Sequence, residues 1–107
     1  MSALKDNVTI ITGASTGIGE ELAYQLAQQG AKLVLTARRQ SELNRVAEKA
    51  RSFGGEVITV AADVGKSEEC KKIVDATINE FGRIDTLVNN AGMTMWAKFA
   101  EIKDISM

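Results

Sequence analysis

The sequence predicts an α/β fold, with one parallel sheet between layers of helices. Short runs rich in Val, Ile, Leu and Thr alternate with longer segments whose apolar residues recur at helical spacing. Their order is β-α-β-α-β-α-β, which right-handed crossovers convert into a doubly wound parallel sheet. At 107 residues the chain has about the length of one domain, so we expect a single domain over 1–107.

The predicted strands are the apolar runs at 7–12, 32–37, 56–61 and 86–89. These runs show little alternation of apolar and polar residues, which is typical of strands that are covered on both faces. We therefore expect each of them to be buried between helices.

The predicted helices have one apolar face and lie at 18–26, 43–50 and 73–81. A glycine follows each of them, where a left-handed C-terminal cap favours this residue, and a serine before the second and the third is expected to act as an N-cap. The predicted caps are Gly30, Gly54, Gly82, Ser41 and Ser67.

Three glycines separate the first strand from the first helix, at positions 13, 17 and 19. A helix that starts directly after a tight turn leaves the N–H groups of its first turn without partners, and these groups, together with the helix dipole, attract an anion. Glycine is needed because a Cβ would block the turn and keep a phosphate away from the backbone. The loop predicts the pyrophosphate site of a dinucleotide; the alternative is a glycine-rich turn that holds no ligand.

Two arginines, Arg38 and Arg39, follow the second strand, at the edge where parallel sheets bind their ligands. NAD-binding proteins usually carry an acidic residue here for the ribose hydroxyls, but the residue before the arginines is Ala37. A guanidinium can bind a 2′-phosphate through two charge-assisted hydrogen bonds. The pair therefore predicts NADP(H) rather than NAD(H); the alternative is a solvated pair at the start of a helix.

Polar residues also follow the third and fourth strands. Asp63 can accept a hydrogen bond from the adenine amine while Val64 packs against the ring, or its carboxylate can cap the next turn. After the fourth strand, the amides and small residues of 89–92 allow the backbone to approach a ribose, or form an ordinary turn.

The segments 12–19, 63–64 and 89–92, in this order, resemble the amino-terminal half of a short-chain dehydrogenase/reductase. The resemblance covers about 5–92 and implies a Rossmann-like sheet with strand order 3-2-1-4. It also implies a nicotinamide dinucleotide, here NADP(H), and an oxidoreductase that interconverts an alcohol and a carbonyl by hydride transfer. The substrate is then a small-molecule alcohol or carbonyl.

By this resemblance, residues at all four strand ends line the cofactor, and Asn89 braces the central strand. Many NADP-dependent members carry Lys or Arg where this chain has Thr16, so the NADP preference depends on the two arginines. The implied cofactor residues are Gly13, Ser15, Thr16, Gly17, Ile18 and Gly19 for the pyrophosphate, Arg38 and Arg39 for the 2′-phosphate, Asp63 and Val64 for the adenine, and Asn90, Ala91 and Gly92 for the ribose nearest the nicotinamide.

The family's catalytic tyrosine and lysine, in a Tyr-x-x-x-Lys pattern, have no counterpart in this sequence. The single tyrosine, Tyr24, falls in the first predicted helix, and Gln28 lies four residues after it. We therefore expect the chain to end before the catalytic segment, to contain no catalytic residue and to transfer no hydride alone. Two alternatives stay open: a non-catalytic NADP(H)-binding module or truncated isoform, and a methyltransferase of similar architecture, which the lack of an acid at Ala37 disfavours.

Composition and charge argue against several classes of protein. The formal net charge of −1 gives no reason to expect nucleic-acid binding, and no apolar stretch has the length of a membrane span. With no His and one Cys, the usual zinc sites and an internal disulfide are excluded, and we expect no metal. We expect a cytoplasmic protein that forms a homo-oligomer in its full-length form.

Overall fold

The computed structural model describes residues 4–90, and within them it confirms the predicted order of elements. Strands and helices alternate along the chain, beginning and ending with a strand. The elements are β1 (Val8–Thr12), α1 (Gly17–Gln28), β2 (Lys32–Ala37), α2 (Gln40–Ser52), β3 (Glu56–Ala61), α3 (Ser67–Phe81) and β4 (Thr86–Val88).

The strands form one parallel sheet in the order β3-β2-β1-β4, which confirms the predicted Rossmann-like topology. Thr12 at the end of β1 is level with Thr36 of β2, and Thr36 is level with Val60 of β3. The carboxyl ends of these three strands therefore lie at the same edge of the sheet. The segments that follow them meet there, as expected for the ligand-binding edge of an open α/β sheet.

Helices cover the two faces of the sheet, and each face has its own apolar core. Ile11 and Leu35 pack into the cluster that contains the buried faces of α1 and α2, whereas their neighbours Ile10 and Val34 pack with Ile73 of α3. Successive residues of a strand point to opposite faces. Both sets are buried here, which is why the strands appear in the sequence as continuous apolar runs.

The glycines that follow the helices have the left-handed backbone that the sequence predicts. Their φ angles are +83° at Gly30, +100° at Gly54 and +78° at Gly82. Residues with a Cβ rarely adopt this conformation, so these glycines end the helices and turn the chain back toward the sheet.

The predicted serine N-caps are wrong. The N-cap of α2 is Arg39 and that of α3 is Lys66, and neither side chain makes a capping hydrogen bond. Ser41 lies inside the first turn of α2, and Ser67 is the first residue of α3. Apolar periodicity detects a helix only from its first buried residue, so a polar first turn such as that of α2 leaves no trace in the pattern.

Candidate nucleotide-binding site

An open groove of about 670 Å³ lies at the carboxyl edge of β1, β2 and β3. It is lined by the segments that follow these three strands, so it brings together residues that are far apart in the sequence. The predicted cofactor residues that line it are Gly13, Ser15, Thr16, Arg38, Arg39, Asp63 and Val64.

The glycine-rich loop leaves little or no room for a side chain at two of its glycines. Gly13 has a φ of +62°, and a Cβ placed on it would lie 3.2 Å from the side-chain nitrogen of Asn90. A Cβ on Gly19 would collide with the carbonyl oxygen of Gly13 and lie 2.8 Å from Asn90 Nδ2. Gly17 has a φ of +55°, and the space around its missing Cβ is open.

The start of α1 offers backbone donors for an anion. Its N-cap, Thr16, makes no side-chain capping bond, and the first N–H with a helical acceptor is that of Glu20, which donates to the Thr16 carbonyl at 3.3 Å. The N–H groups of Gly17, Ile18 and Gly19 therefore have no acceptor within the helix. With the positive end of the helix dipole, these groups fit a phosphate or pyrophosphate.

Asn90 ties the end of β4 to the glycine-rich loop. Its backbone N–H donates to the Thr12 hydroxyl at 3.0 Å, and its side-chain amide donates to the Gly13 carbonyl at 3.1 Å. The Thr12 hydroxyl in turn donates to the Val88 carbonyl at 3.3 Å. The resemblance predicts bracing for Asn89 and a ribose contact for Asn90; the described contacts of Asn90 brace the loop.

Two of the predicted ribose residues, Ala91 and Gly92, lie outside the described residues. Ile18 and Gly19 lie in the first turn of α1, next to the loop that lines the groove. The side chain of Ile18 is 78% exposed, which places an apolar group in solvent beside the groove.

Arg38 and Arg39 occupy the short connection between β2 and α2, and both are exposed. The Arg39 carbonyl accepts a bond from the Leu43 N–H at 3.2 Å, so its backbone starts the helix. Neither guanidinium has an ion-pair partner among residues 4–90. Two cations at a helix start that form no ion pair there suit an anionic ligand.

Glu42 also lines the groove, although it is not among the residues predicted from the sequence. It lies in the first turn of α2 and forms an ion pair with Arg45 at 3.3 Å. The i, i+3 spacing of the two residues is the sequence signal that could have indicated the pair.

Asp63 satisfies the turn-capping alternative and still faces the groove. Its Oδ1 accepts a bond from the Gly65 N–H at 2.9 Å, and the residue lines the groove together with Val64. A carboxylate has several acceptor positions, so a bond to Gly65 leaves capacity for a ligand amine. The two interpretations of Asp63 are therefore compatible.

Tyr24 is a structural residue of α1, outside the lining of the groove. It is 6% exposed, its hydroxyl donates to Glu20 at 2.7 Å, and its ring packs edge-on against Phe53. Burial, and then the bond to Glu20, raise the pKa of Tyr24 to about 12. A tyrosine in this position holds its proton at neutral pH.

Two neighbours hydrogen-bond to the carboxylate of Glu20 and favour its ionised form. The bond from Arg45, and then the bond from the Tyr24 hydroxyl, lower the pKa of Glu20 below its ordinary value. The same pair raises the pKa of Arg45. No local pattern in the sequence indicates this pair, because its members lie on different helices.

Two other kinds of site are absent from the described part of the chain. No helix between residues 4 and 90 is long and apolar enough to cross a membrane. The same residues contain no group of three or more His, Cys, Asp or Glu side chains that could hold a metal ion.

Comparison with known proteins shows a relationship along most of the chain. The family model described as short chain dehydrogenase matches residues 7–106. The 11-beta-hydroxysteroid dehydrogenase 1A of Arabidopsis thaliana is 57% identical over 104 residues, which cover 96% of this chain and 30% of that protein. The chain thus spans about a third or less of the length of such relatives.

Solved structures share the fold and differ in the bound nucleotide. A metagenomic short-chain oxidoreductase in complex with NADP is 39% identical, with a TM-score of 0.80 over 86% of this chain and 42% of that chain. An NAD⁺-bound xylitol dehydrogenase is 32% identical, with a TM-score of 0.81 over 86% of this chain and 35% of that chain. One fold therefore accommodates either nucleotide.

Proposed function

This chain belongs to the short-chain dehydrogenase family of oxidoreductases, and we propose that it is the NADP(H)-binding part of an enzyme that interconverts an alcohol and a carbonyl. The observation that carries the proposal is the groove at the sheet edge. It joins a glycine-rich loop before a helix start to two exposed arginines after the next strand. A backbone cradle for a pyrophosphate and cations for a 2′-phosphate are what NADP(H) requires.

The parts of the cofactor are assigned to residues by their chemistry. The N–H groups of 17–19 bind the pyrophosphate, and Arg38 and Arg39 bind the 2′-phosphate. Asp63 accepts from the adenine amine and Val64 packs on the ring. Residues 90–92 follow β4 and complete the site near the ribose.

When bound, the nicotinamide supplies or accepts the hydride. This chain's own residues hold the dinucleotide and fix its orientation at the sheet edge. Tyr24, the single tyrosine of the sequence, is buried in α1 and keeps its proton. We therefore propose that residues 1–107 form one cofactor-binding domain without a catalytic group of its own.

The cofactor assignment is tested by comparing NADPH and NADH binding to the wild-type chain and to Arg38→Ala and Arg39→Ala. A charge-assisted hydrogen bond is worth about 1.5–3 kcal/mol, so the wild type should prefer NADPH by about tenfold or more. Each variant should lose most of that preference, with NADH affinity nearly unchanged.

The matched control is Lys71→Ala, which removes one positive charge from α3, where Lys71 pairs with Asp75. It should leave both affinities within about twofold of the wild type, since exposed pairs contribute little. Equal affinities of the wild type for NADPH and NADH would refute the assignment of the arginines to the 2′-phosphate.

The substrate is a question for the whole enzyme, because the match to this chain covers only 30% of the Arabidopsis relative. The name of the Arabidopsis relative makes hydroxysteroids the first alcohols to test. A non-catalytic NADP(H)-binding module is the competing proposal, and it shares every binding prediction made above. Turnover of any alcohol or carbonyl by the pure 107-residue chain would exclude both the competing proposal and a purely cofactor-binding role.

We also propose that the full-length form is a homo-oligomer in the cytoplasm. The single cysteine, Cys70, is a buried thiol, which suits a reducing compartment. The expected partner is a small-molecule alcohol or carbonyl, as for the short-chain dehydrogenase family.

A further inference from the structure

Arg45 lies in the second turn of α2, and its guanidinium contacts three elements beside the groove. It donates to both carboxylate oxygens of Glu20 in α1, at 3.0 and 3.1 Å, and to Glu42 of its own helix at 3.3 Å. It also donates to the backbone carbonyl of Ser15, at 3.1 Å. One side chain thus joins the glycine-rich loop to the first turns of two helices.

The bond to Ser15 fixes the orientation of the loop. Ser15 lines the groove, and its carbonyl shares a planar peptide unit with the N–H of Thr16. A donor that holds this carbonyl therefore also fixes the direction of the Thr16 N–H. The same donor also fixes the path by which the chain enters α1 at Gly17.

The bonds to the two glutamates have an electrostatic effect on the groove. Glu20 lies in the first turn of α1, directly after the backbone donors, and Glu42 lines the groove. Both carboxylates oppose an anionic ligand, since charges separated by less than about 10 Å still interact at ordinary ionic strength. Arg45 offsets both charges, although it is not among the described residues that line the groove.

We propose that Arg45 is a positioning residue for the nucleotide: it holds the Ser15 carbonyl and offsets the charges of Glu20 and Glu42 without touching the cofactor. The inference rests on the proposed function, because it concerns the same groove. The pyrophosphate is common to NADPH and NADH, so the effect of Arg45 is common to both. The effect of Arg38 and Arg39 is instead confined to NADPH.

The test measures the dissociation constants of NADPH and NADH by titration calorimetry for the wild-type chain, Arg45→Ala and Arg45→Lys. Arg45→Ala should weaken both nucleotides by about three- to tenfold, because Arg45 is half exposed and its contacts are partly screened. Arg45→Lys keeps the charge but lacks the planar guanidinium that reaches several partners at once. Its affinities for the two nucleotides should therefore lie between those of the wild type and those of Arg45→Ala.

The matched control is Arg51→Ala, which removes another guanidinium from α2. Arg51 donates to the Val57 carbonyl at 2.7 Å and does not line the groove described above. This variant should lose stability but bind both nucleotides within about twofold of the wild type.

The possible results separate this inference from the proposed function. A wild-type chain that binds neither nucleotide overturns the proposed function. If the wild type binds both and Arg45→Ala binds them equally well, the positioning role is overturned and the proposed function stands. A loss confined to NADPH, or an equal loss in Arg51→Ala, also overturns the positioning role, since Arg45 would then be a 2′-phosphate ligand or a general structural contact.

A double variant separates charge from geometry. In Arg45→Ala/Glu20→Gln the uncompensated carboxylate of Glu20 is removed, while the Ser15 carbonyl still lacks its donor. We expect this variant to recover part of the affinity that Arg45→Ala loses. No recovery would overturn the electrostatic half of the inference.

Discussion

The two ends of the groove are built in different ways. At the glycine-rich loop, the backbone is fixed by close packing: Ala14 is fully buried and donates to the Thr36 carbonyl at 3.2 Å, and Gly19 lies against Gly13. At the connection between β2 and α2, Arg38 and Arg39 extend exposed side chains from a short turn. A side chain at Gly19 would disturb the packing of the first end, whereas the exposed arginine side chains at the second end can be replaced without disturbing any packing.

This difference separates two properties of the site. A pyrophosphate is present in every dinucleotide, and the backbone that would bind it is part of the fold. The 2′-phosphate distinguishes NADP from NAD, and only side chains on an exposed turn would recognise it. Such a division is consistent with solved structures of the same fold that hold either NADP or NAD⁺.

The largest effect is expected from Gly19→Ala. Alanine is favoured over glycine in a helix, but here its Cβ would collide with the Gly13 carbonyl. We expect a loss of about 2–3 kcal/mol in the free energy of unfolding, as for other overpacked sites, and no measurable NADPH binding. Urea unfolding and calorimetric titration would measure the two quantities.

The control for Gly19→Ala is Gln25→Ala, an exposed position of the same helix. It should change the unfolding free energy by no more than about 0.5 kcal/mol. If Gly19→Ala had the same free energy of unfolding as the wild type, the glycine-rich loop would not be rigidly packed at Gly19.

A smaller but more specific effect is expected from Gly17→Ala. Both Gly17 and Gly82 have positive φ angles and open space around an added Cβ. Alanine at either position should therefore cost about 1 kcal/mol of stability through backbone strain alone. Because only the Cβ at Gly17 would lie at the proposed pyrophosphate site, only Gly17→Ala should also lose NADPH affinity. Equal NADPH affinities in the two variants would contradict the pyrophosphate assignment.

The smallest effect is expected from Glu20→Gln, through the pH dependence of stability. The pKa of Glu20 is lowered from 4.5 in the folded chain, so its contribution is present above that pH and is lost as the pH falls through the folded value. The variant should be less stable than the wild type by about 1 kcal/mol or less at pH 7, because Arg45 is half exposed. The two proteins should converge as the pH falls below the folded pKa of Glu20.

Urea unfolding between acid and neutral pH would measure this convergence. Glu21→Gln removes the same charge from the next, exposed position, where the carboxylate accepts a bond from Gln25, and it should have a smaller effect at neutral pH. A difference between Glu20→Gln and the wild type that stays constant with pH would show that ionised Glu20 does not contribute in this way.

Much of the fold could be predicted because its signals are local. The apolar runs and the helical spacing predict all seven elements described in residues 4–90, and the glycines at 30, 54 and 82 adopt the predicted left-handed backbone. The N-caps were predicted at the wrong residues, since the first turn of α2 is polar and carries no apolar period. Local pattern thus predicts that an element exists more reliably than where it begins.

The sequence predicted the parts of the candidate site that follow each strand, but not the contacts that join these parts to one another. A glycine-rich loop and an arginine pair depend on neighbours in the sequence, so spacing alone indicates them. The bonds from Arg45 to Glu20 and Ser15 join residues 25 and 30 positions apart, and the bond from Asn90 to Gly13 joins residues 77 positions apart. No periodicity in the sequence reports such distances.

The sequence by itself determined the order of strands and helices, the glycine conformations and the kinds of side chain that line the groove. It could do so because backbone torsions, burial and residue chemistry are set by short segments of chain. The tertiary structure decided which carboxylates Arg45 neutralises, which carbonyl it holds, and that Asn90 braces the loop. These contacts depend on how the helices pack across the sheet, and that packing follows only from the folded chain as a whole.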